Sequence, residues 1–326
     1  MKKKNKNLVT YIVTLYNKKK YLASVINALA IEGGPHSREY IFIDDGSRDS
    51  TKLILKILLC KLPGEVKIIS RKNMGASFST NEAIRKAKGY WLRLLDGDDA
   101  VSFRSTYKML SIARMTKEEF IYGCIYEDQY IPEKVNLCKY KIQSRNEGLK
   151  KFIRNCPANS SCIFVSKKRY EKAGGCDNAF VSPDQVLFLR LFNSGKGVFL
   201  KEIVARMPKI QSDVRLSSQT RRSRYESILA LIRFCEDNKE VDFQIKKLAF
   251  KRALSRANNY NKFLNKKFFS TFLIMHFFSK FYFPKNYISW MYKSLIVFTN
   301  NDIKKPISWL TGFEKKKISK KQINQY

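Results

Sequence analysis

LVTYIVTLYNKKKYLASVINALAIEGGPHSREYIFIDDGS, residues 8–47, holds two kinds of periodicity in quick succession. Residues 8–15 are a continuous, β-branched apolar run bounded by polar residues, which predicts a strand buried on both faces. KKKYLASVINALAI (18–31) puts Leu22, Ile26, Leu29 and Ala30 at helical spacing. YIFIDD (40–45) is then a second strand. The alternation continues outward through a helix at 50–60, a strand at 66–70, a helix at 76–88 and a strand, YWLRLLD, at 90–96. Strands alternating with helices of this length predict an α/β fold with a mostly parallel sheet covered by helices on both faces. Right-handed crossovers bring the C-terminal ends of the strands to one edge, where such sheets bind ligands.

The polar residues gather at those predicted strand ends. The first strand ends in Thr14, Leu15, Tyr16 and Asn17, the second in Asp44, Asp45, Gly46 and Ser47, and the fourth in Asp96, Gly97, Asp98 and Asp99. Five carboxylates at two strand ends repel one another unless a cation or hydrogen-bond donors compensate. Hard oxygen ligands suit Mg²⁺ or Mn²⁺ rather than zinc. Gly97 is expected to let the backbone turn tightly between its aspartates. Taken singly, each cluster also reads as a polar turn, and Asp44–Ser47 as a cap for the helix at 50. Their occurrence at matching ends of neighbouring βα units favours a binding site.

Composition bounds the partners. The 326 residues carry 63 Lys and Arg against 28 Asp and Glu, a net charge of +35. A field so positive calls for an anionic partner: nucleic acid, a phosphate-bearing substrate or an acidic membrane. No helix-turn-helix, RNA-binding signature or zinc spacing supports nucleic acid. Seven cysteines at irregular spacing, with no C-x-x-C pair, point to reduced thiols rather than a disulfide framework. The basic N-terminus lacks the long apolar run and cleavage site of a signal peptide, and a cytoplasmic location is expected.

In order, V-T-L-Y-N (13–17), I-D-D-G-S (43–47), K-N-M-G-A-S (72–77) and L-L-D-G-D-D (94–99) resemble the GT-A glycosyltransferases of family two. The resemblance covers about residues 7–200. It implies an inverting transfer of a sugar, with a GT-A catalytic domain over 1–215. By position, Thr14, Leu15, Tyr16, Asn17, Asp44, Asp45, Asn73, Gly75, Asn81 and Asp96 would line the nucleotide pocket, Asp45 accepting the imide hydrogen of a uracil. Asp96 and Asp98 would engage the ribose and the metal, Mn²⁺ or Mg²⁺, with Asp98 and Asp99 the candidate metal ligands. GGCDNAFVSPDQVLFLRL (174–191) is similar to the family's second conserved segment and implies that Asp184 is the general base, with Asp177 a lesser candidate. Read without the resemblance, Asp184 is a helix N-cap. The sequence departs from the family pattern at Leu15, in place of proline, at Thr80, in place of an arginine, and at Pro183, in place of glutamate. Arg71, Lys72 or Arg85 could stand in for the lost arginine.

Residues 216–326 have another character. From 246 onward there are 18 Lys and Arg against Asp302 and Glu314. Aromatic residues are dense between Phe268 and Tyr292, and Lys315, Lys316, Lys317, Lys320 and Lys321 add charge near the end. The most apolar stretch, 268–283, is too short and too polar to span a bilayer. Basic residues beside aromatic amphipathic segments predict a helical region lying on an anionic membrane surface, with a solvated subdomain as the alternative. Gln219 and Arg222 fall where processive members carry their Q-x-x-R-W motif, but Ser223 replaces the tryptophan. The combined expectation is a single-sugar transferase, peripheral on the inner face of the plasma membrane. It would take a nucleotide sugar, with UDP as carrier, to a glycan or lipid-linked acceptor in polysaccharide biosynthesis. A nucleic-acid-binding metal-dependent protein and a catalytically inactive scaffold are the alternatives.

Overall fold

The computed structural model describes residues 5–127, 139–208, 220–265 and 270–298. The chain divides into two compact units, Met1–Val214 and Arg215–Tyr326.

The first unit is built on one nine-stranded sheet. Its parallel half is β1 (Leu8–Leu15), β2 (Ser37–Asp44), β3 (Glu65–Ser70) and β4 (Trp91–Asp96), with β1 between β2 and β4 and β3 outside β2. The crossover helices are α1 (Leu22–Ile31), α2 (Thr51–Leu58) and α3 (Ala76–Lys86). Val9, Tyr11, Ile12 and Val13 are all buried, as expected of a strand covered on both faces. α1 buries Leu22, Val25, Ile26 and Leu29, so Val25 rather than the expected Ala30 completes its inner stripe. Each of these elements begins and ends within a few residues of its expected place.

The other half of the sheet follows no simple strand–helix alternation. It comprises β5 (Ala100–Val101), β6 (Phe120–Glu127), β7 (Tyr140–Gln143), β8 (Ile163–Ser166) and β9 (Gly197–Met207). β8 pairs antiparallel with both β4 and β6, β6 and β9 run parallel, and β5 and β7 pair antiparallel with β9. Beside these strands pack α4 (Ser105–Thr116), α5 (Arg145–Arg154), α6 (Lys167–Lys172) and α7 (Asp184–Asn193). α5 opens on a capping box in which Ser144 and Glu147 exchange side-chain and backbone hydrogen bonds.

Between α5, α7 and β6 lies an aromatic core. The Phe152 and Phe188 rings stack at 4.1 Å, with Tyr122 and Phe192 against them at 5.5 Å from Phe152. Gln185 donates to the Phe152 carbonyl at 2.8 Å, which ties the first turn of α7 to α5. This cluster fixes where Asp184, the first residue of α7, stands.

Arg93 is fully buried in the middle of β4. Its guanidinium donates to the carbonyls of Ser161 and Ile163 and, at 2.8 Å, Val204. One cation thereby joins β4 to the turn before β8 and to β9, satisfying carbonyls that burial would otherwise leave costly.

The second unit is helical: α8 (Thr220–Asp237), α9 (Phe243–Asn265), α10 (Thr271–Phe281), α11 (Tyr287–Ser294) and a 3₁₀ turn at Leu295–Phe298. α8 buries Ile228, Leu231, Ile232 and Cys235. Among the described residues no helix is long and apolar enough to cross a membrane. Gln219, Phe268, Phe269, Asp302, Glu314 and the lysines at 315–317, 320 and 321 lie outside the described residues.

Candidate active site

Strand register puts the acidic ends on one rim. Thr14 of β1 stands beside Asp96 of β4, and Leu15 beside Asp44 of β2. The Asp44 and Asp96 chain ends are thus two strand spacings apart, about 10 Å. Lys18, just past β1, bridges part of the gap: its Nζ lies 2.7 Å from Asp98 Oδ2, and its backbone N–H donates to Thr51 Oγ1.

The Asp44–Ser47 turn is held from within. Asp44 Oδ1 accepts from the Ser47 N–H at 3.0 Å. Asn17 takes a left-handed φ of 53°, which asparagine tolerates. Its N–H donates to Ser47 Oγ and its Oδ1 accepts from the Arg48 N–H. Asp45 reaches the other way, accepting from the N–H groups of Met74 and Gly75 at 2.9 and 2.8 Å and pairing with Arg71 at 3.0 Å. The turn does not cap α2: Asp49 accepts from the Thr51 N–H instead.

Arg71 is committed there. It also donates to Ser79 Oγ and lies over the Phe78 ring. Thr80, in the place of the family's arginine, is buried and turns its hydroxyl back to the Ala76 carbonyl. Asn81, expected at the nucleotide, has its amide engaged by Tyr170, Cys176 and Asn178. It joins α3 to the segment after α6. Asn73 and Tyr16 are exposed on the rim.

The DGDD segment and Asp184 meet at a turn that the sequence reading passed over, Asn159–Ser160–Ser161. Ser160 Oγ donates to Asp96 at 3.1 Å, while its N–H donates to Asp184 Oδ1 at 2.8 Å. Asn159 Nδ2 donates to Asp99 Oδ2 at 2.9 Å, and the Asp96 N–H donates to Ser161 Oγ. Ser182 Oγ adds a longer contact to Asp184 at 3.4 Å. Asp184 is the first helical residue of α7, and Pro183 occupies the N-cap position. Asp177 is paired with Arg190 at 2.9 Å, outside this cluster.

Electrostatics register the crowding. Burial, then Asp99, Asp184 and Asp98, hold the Asp96 carboxyl well above the usual range, with Lys18 opposing. Burial and then Asp98 push Asp99 up to about 7. Burial raises Asp184, against the hydrogen bonds from Ser160 and Ser182. Negative charge is therefore disfavoured in the protein alone and favoured by an added cation.

Among the described residues no three Asp, Glu, His or Cys side chains form a cage for a metal ion. A divalent ion carried in with a diphosphate needs only one or two protein carboxylates. Asp98, paired with Lys18, and the buried Asp99 carry hard oxygens of the kind such an ion takes, and their donor set fits it once Lys18 gives way.

Gly97 serves this geometry for a different reason from the expected one. Its φ is not positive; a Cβ there would lie 2.7 Å from the Thr14 carbonyl oxygen and 2.4 Å from Leu15 Cδ2. Close approach of β1, not a special turn, demands glycine.

The mostly parallel sheet, with carboxylates at one rim, has the GT-A architecture. The chain belongs to glycosyl transferase family 2, whose sequence profile matches residues 10–172. It is 32% identical over 95 residues to the putative teichuronic acid biosynthesis glycosyltransferase TuaG of Bacillus subtilis, covering 29% of this chain and 37% of TuaG. It is 30% identical over 92 residues to poly(ribitol-phosphate) beta-N-acetylglucosaminyltransferase TarS of Staphylococcus aureus, 28% of this chain and 16% of TarS. The matched stretch is thus well short of either relative's length. The crystal structure of S. aureus TarS 1–349 in complex with UDP-GlcNAc has a similar fold: TM-score 0.65 at 16% identity, over 88% of this chain and 81% of that one.

Proposed function

We propose that the protein is an inverting glycosyltransferase that moves one sugar from a UDP-linked donor to a glycan or lipid-linked acceptor, with Asp184 as general base. The observation that carries this reading is the pair of bonds from one residue, Ser160, to Asp96 and Asp184. They join the strand-end carboxylates to the carboxylate of α7 in one cluster.

Each group has a part to play. The rim around Thr14, Leu15, Tyr16, Asn17, Asn73 and Gly75 receives the nucleoside, with Asp44 and Asp45 shaping its floor. Asp45 already accepts two N–H donors and pairs with Arg71; a remaining lone pair would accept the imide hydrogen of a uracil. Asp98 and Asp99 hold Mn²⁺ or Mg²⁺, which when bound offsets the charge that builds on the departing diphosphate. Asp184 takes the proton of the acceptor hydroxyl as its oxygen attacks the anomeric carbon opposite the leaving group. Burial makes Asp184 a stronger base than a solvated aspartate. The N–H of Ser160 fixes the carboxylate's direction.

TuaG and TarS are named for cell-wall polymer synthesis, which favours an acceptor of that chemistry here. The excess of basic residues supports work beside an anionic membrane on its cytoplasmic face, with the catalytic domain at 1–215 and the basic region at 216–326. The Asp184→Asn variant tests the assignment. It is expected to bind UDP-sugar as the parent does, in a thermal-shift titration, and to lose transfer by about a thousandfold or more. Transfer at the parent rate would overturn the role given to Asp184.

A further inference from the structure

α10 is turned inside out. Ile274, Phe277, Phe278 and Phe281 recur at i, i+3, i+4 and i+7, the stripe that a helix of a globular protein turns to the core. Here that stripe faces solvent: Ile274 is 52%, Phe277 54%, Phe278 52% and Phe281 75% exposed, while the residue the helix buries is Ser279. Tyr282 continues the stripe at 56%. The rings touch one another, Phe277 lying 5.4 Å from Phe281 and 6.1 Å from Phe278. A contiguous aromatic patch of this kind marks an interaction surface.

The surroundings decide what covers it. Lys262, Lys280 and Lys285 are exposed. Lys280 and Lys262 stand close enough to His276 to help burial lower its pKa. Between Phe243 and Phe298 the sequence has eleven Lys and Arg and no acidic residue. A protein interface core is depleted in lysine. Rings that penetrate the acyl boundary, with ammonium groups held at the level of lipid phosphates, satisfy both features at once.

We infer that the Ile274–Phe277–Phe278–Phe281 face of α10 is the membrane-contact surface of this protein, lying in the interface of an anionic bilayer with Lys280 and Lys285 beside the headgroups. The inference deepens the membrane reading given above and rests on it. A helix of eleven residues lies along the interface and does not cross it.

The test is sedimentation of the full chain with sucrose-loaded vesicles, of phosphatidylcholine alone or with about 30% phosphatidylglycerol. The parent is expected to pellet with the anionic vesicles and to be released by salt. The triple variant Phe277→Ser, Phe278→Ser, Phe281→Ser should lose at least about tenfold in partitioning, through lost apolar burial. A second variant, Lys280→Gln with Lys285→Gln, should weaken anionic binding alone. Both leave the thermal shift by UDP-sugar as in the parent, because none of these residues is assigned to the donor. If the parent binds and the triple variant binds equally well, this face is not the contact, though the membrane reading stands. If the parent binds neither vesicle, both fall. A parent dimer that the triple variant converts to monomer, with no vesicle binding, makes the face a self-association surface and overturns the inference.

Discussion

Asp99 sits where two costs meet, burial and the neighbouring charge of Asp98, and its carboxyl rises to about 7. In an unfolded chain the same group titrates near the ordinary carboxylate value of about 3.9. Its folded pKa being the higher, the stability that its proton supports is complete below about pH 4 and is lost as the pH rises through about 7. Asp99→Asn is therefore expected to stabilise the metal-free protein at pH 8, by roughly 1–4 kcal/mol, and to give no gain near pH 4. Melting curves at the two pH values check it; an equal gain at both would remove charge as the cause. Ser160 offers a second residue-scale test. Ser160→Ala deletes the donor to Asp96 and keeps the backbone N–H to Asp184. We expect a loss of about 1–3 kcal/mol in stability or in transfer, with the bond to a charged acceptor as its source. The sequence showed the aspartates because carboxylates in an apolar strand end are conspicuous. Asn159, Ser160 and Ser161 were not conspicuous, since an Asn-Ser-Ser run reads as any polar turn.

At the scale of elements, the acid cluster depends on packing that lies behind it. α5 and α7 approach so closely that a Cβ on Gly148 would sit 1.9 Å from the Phe192 ring. Gly148→Ala must push α7 away or tilt that ring, and overpacking of this kind costs about 1–3 kcal/mol. Because α7 begins at Asp184, the same shift should lower transfer more than it lowers UDP affinity. A variant whose melting temperature and kcat both match the parent would show that the two helices are free to slide. The βα units around β1 to β4 were readable because their hydrophobic period changes cleanly from strand to helix. β8 and β9 were not, since nothing local tells a strand whether its neighbour runs parallel. Contacts between distant segments carry that information, as where the buried Arg93 donates to carbonyls of Ser161, Ile163 and Val204.

For the whole molecule, the two units differ in chemistry: one carries a sheet rim of carboxylates, the other is a basic, aromatic helical body. Donor binding is measurable on the intact chain. A panel of nucleotide sugars with Mn²⁺ is expected to give its largest thermal stabilisation with a uridine diphosphate sugar. A ligand at a hundred times its Kd adds about 2.7 kcal/mol. Omission of the metal should remove most of that gain, since Asp98 and Asp99 then face the diphosphate with like charge. A guanosine or cytidine donor that stabilises more would count against the uracil role given to Asp45.

Residue order alone determined the parallel βα core, the acidic ends at its rim and the identity of the family, because each is written in local periodicity and short motifs. Tertiary structure alone decided which donors satisfy the carboxylates, why Gly97 must be glycine, and that α10 turns its aromatic stripe outward. Those outcomes depend on groups far apart in the chain arriving within hydrogen-bonding or van der Waals distance, and periodicity carries no record of such meetings.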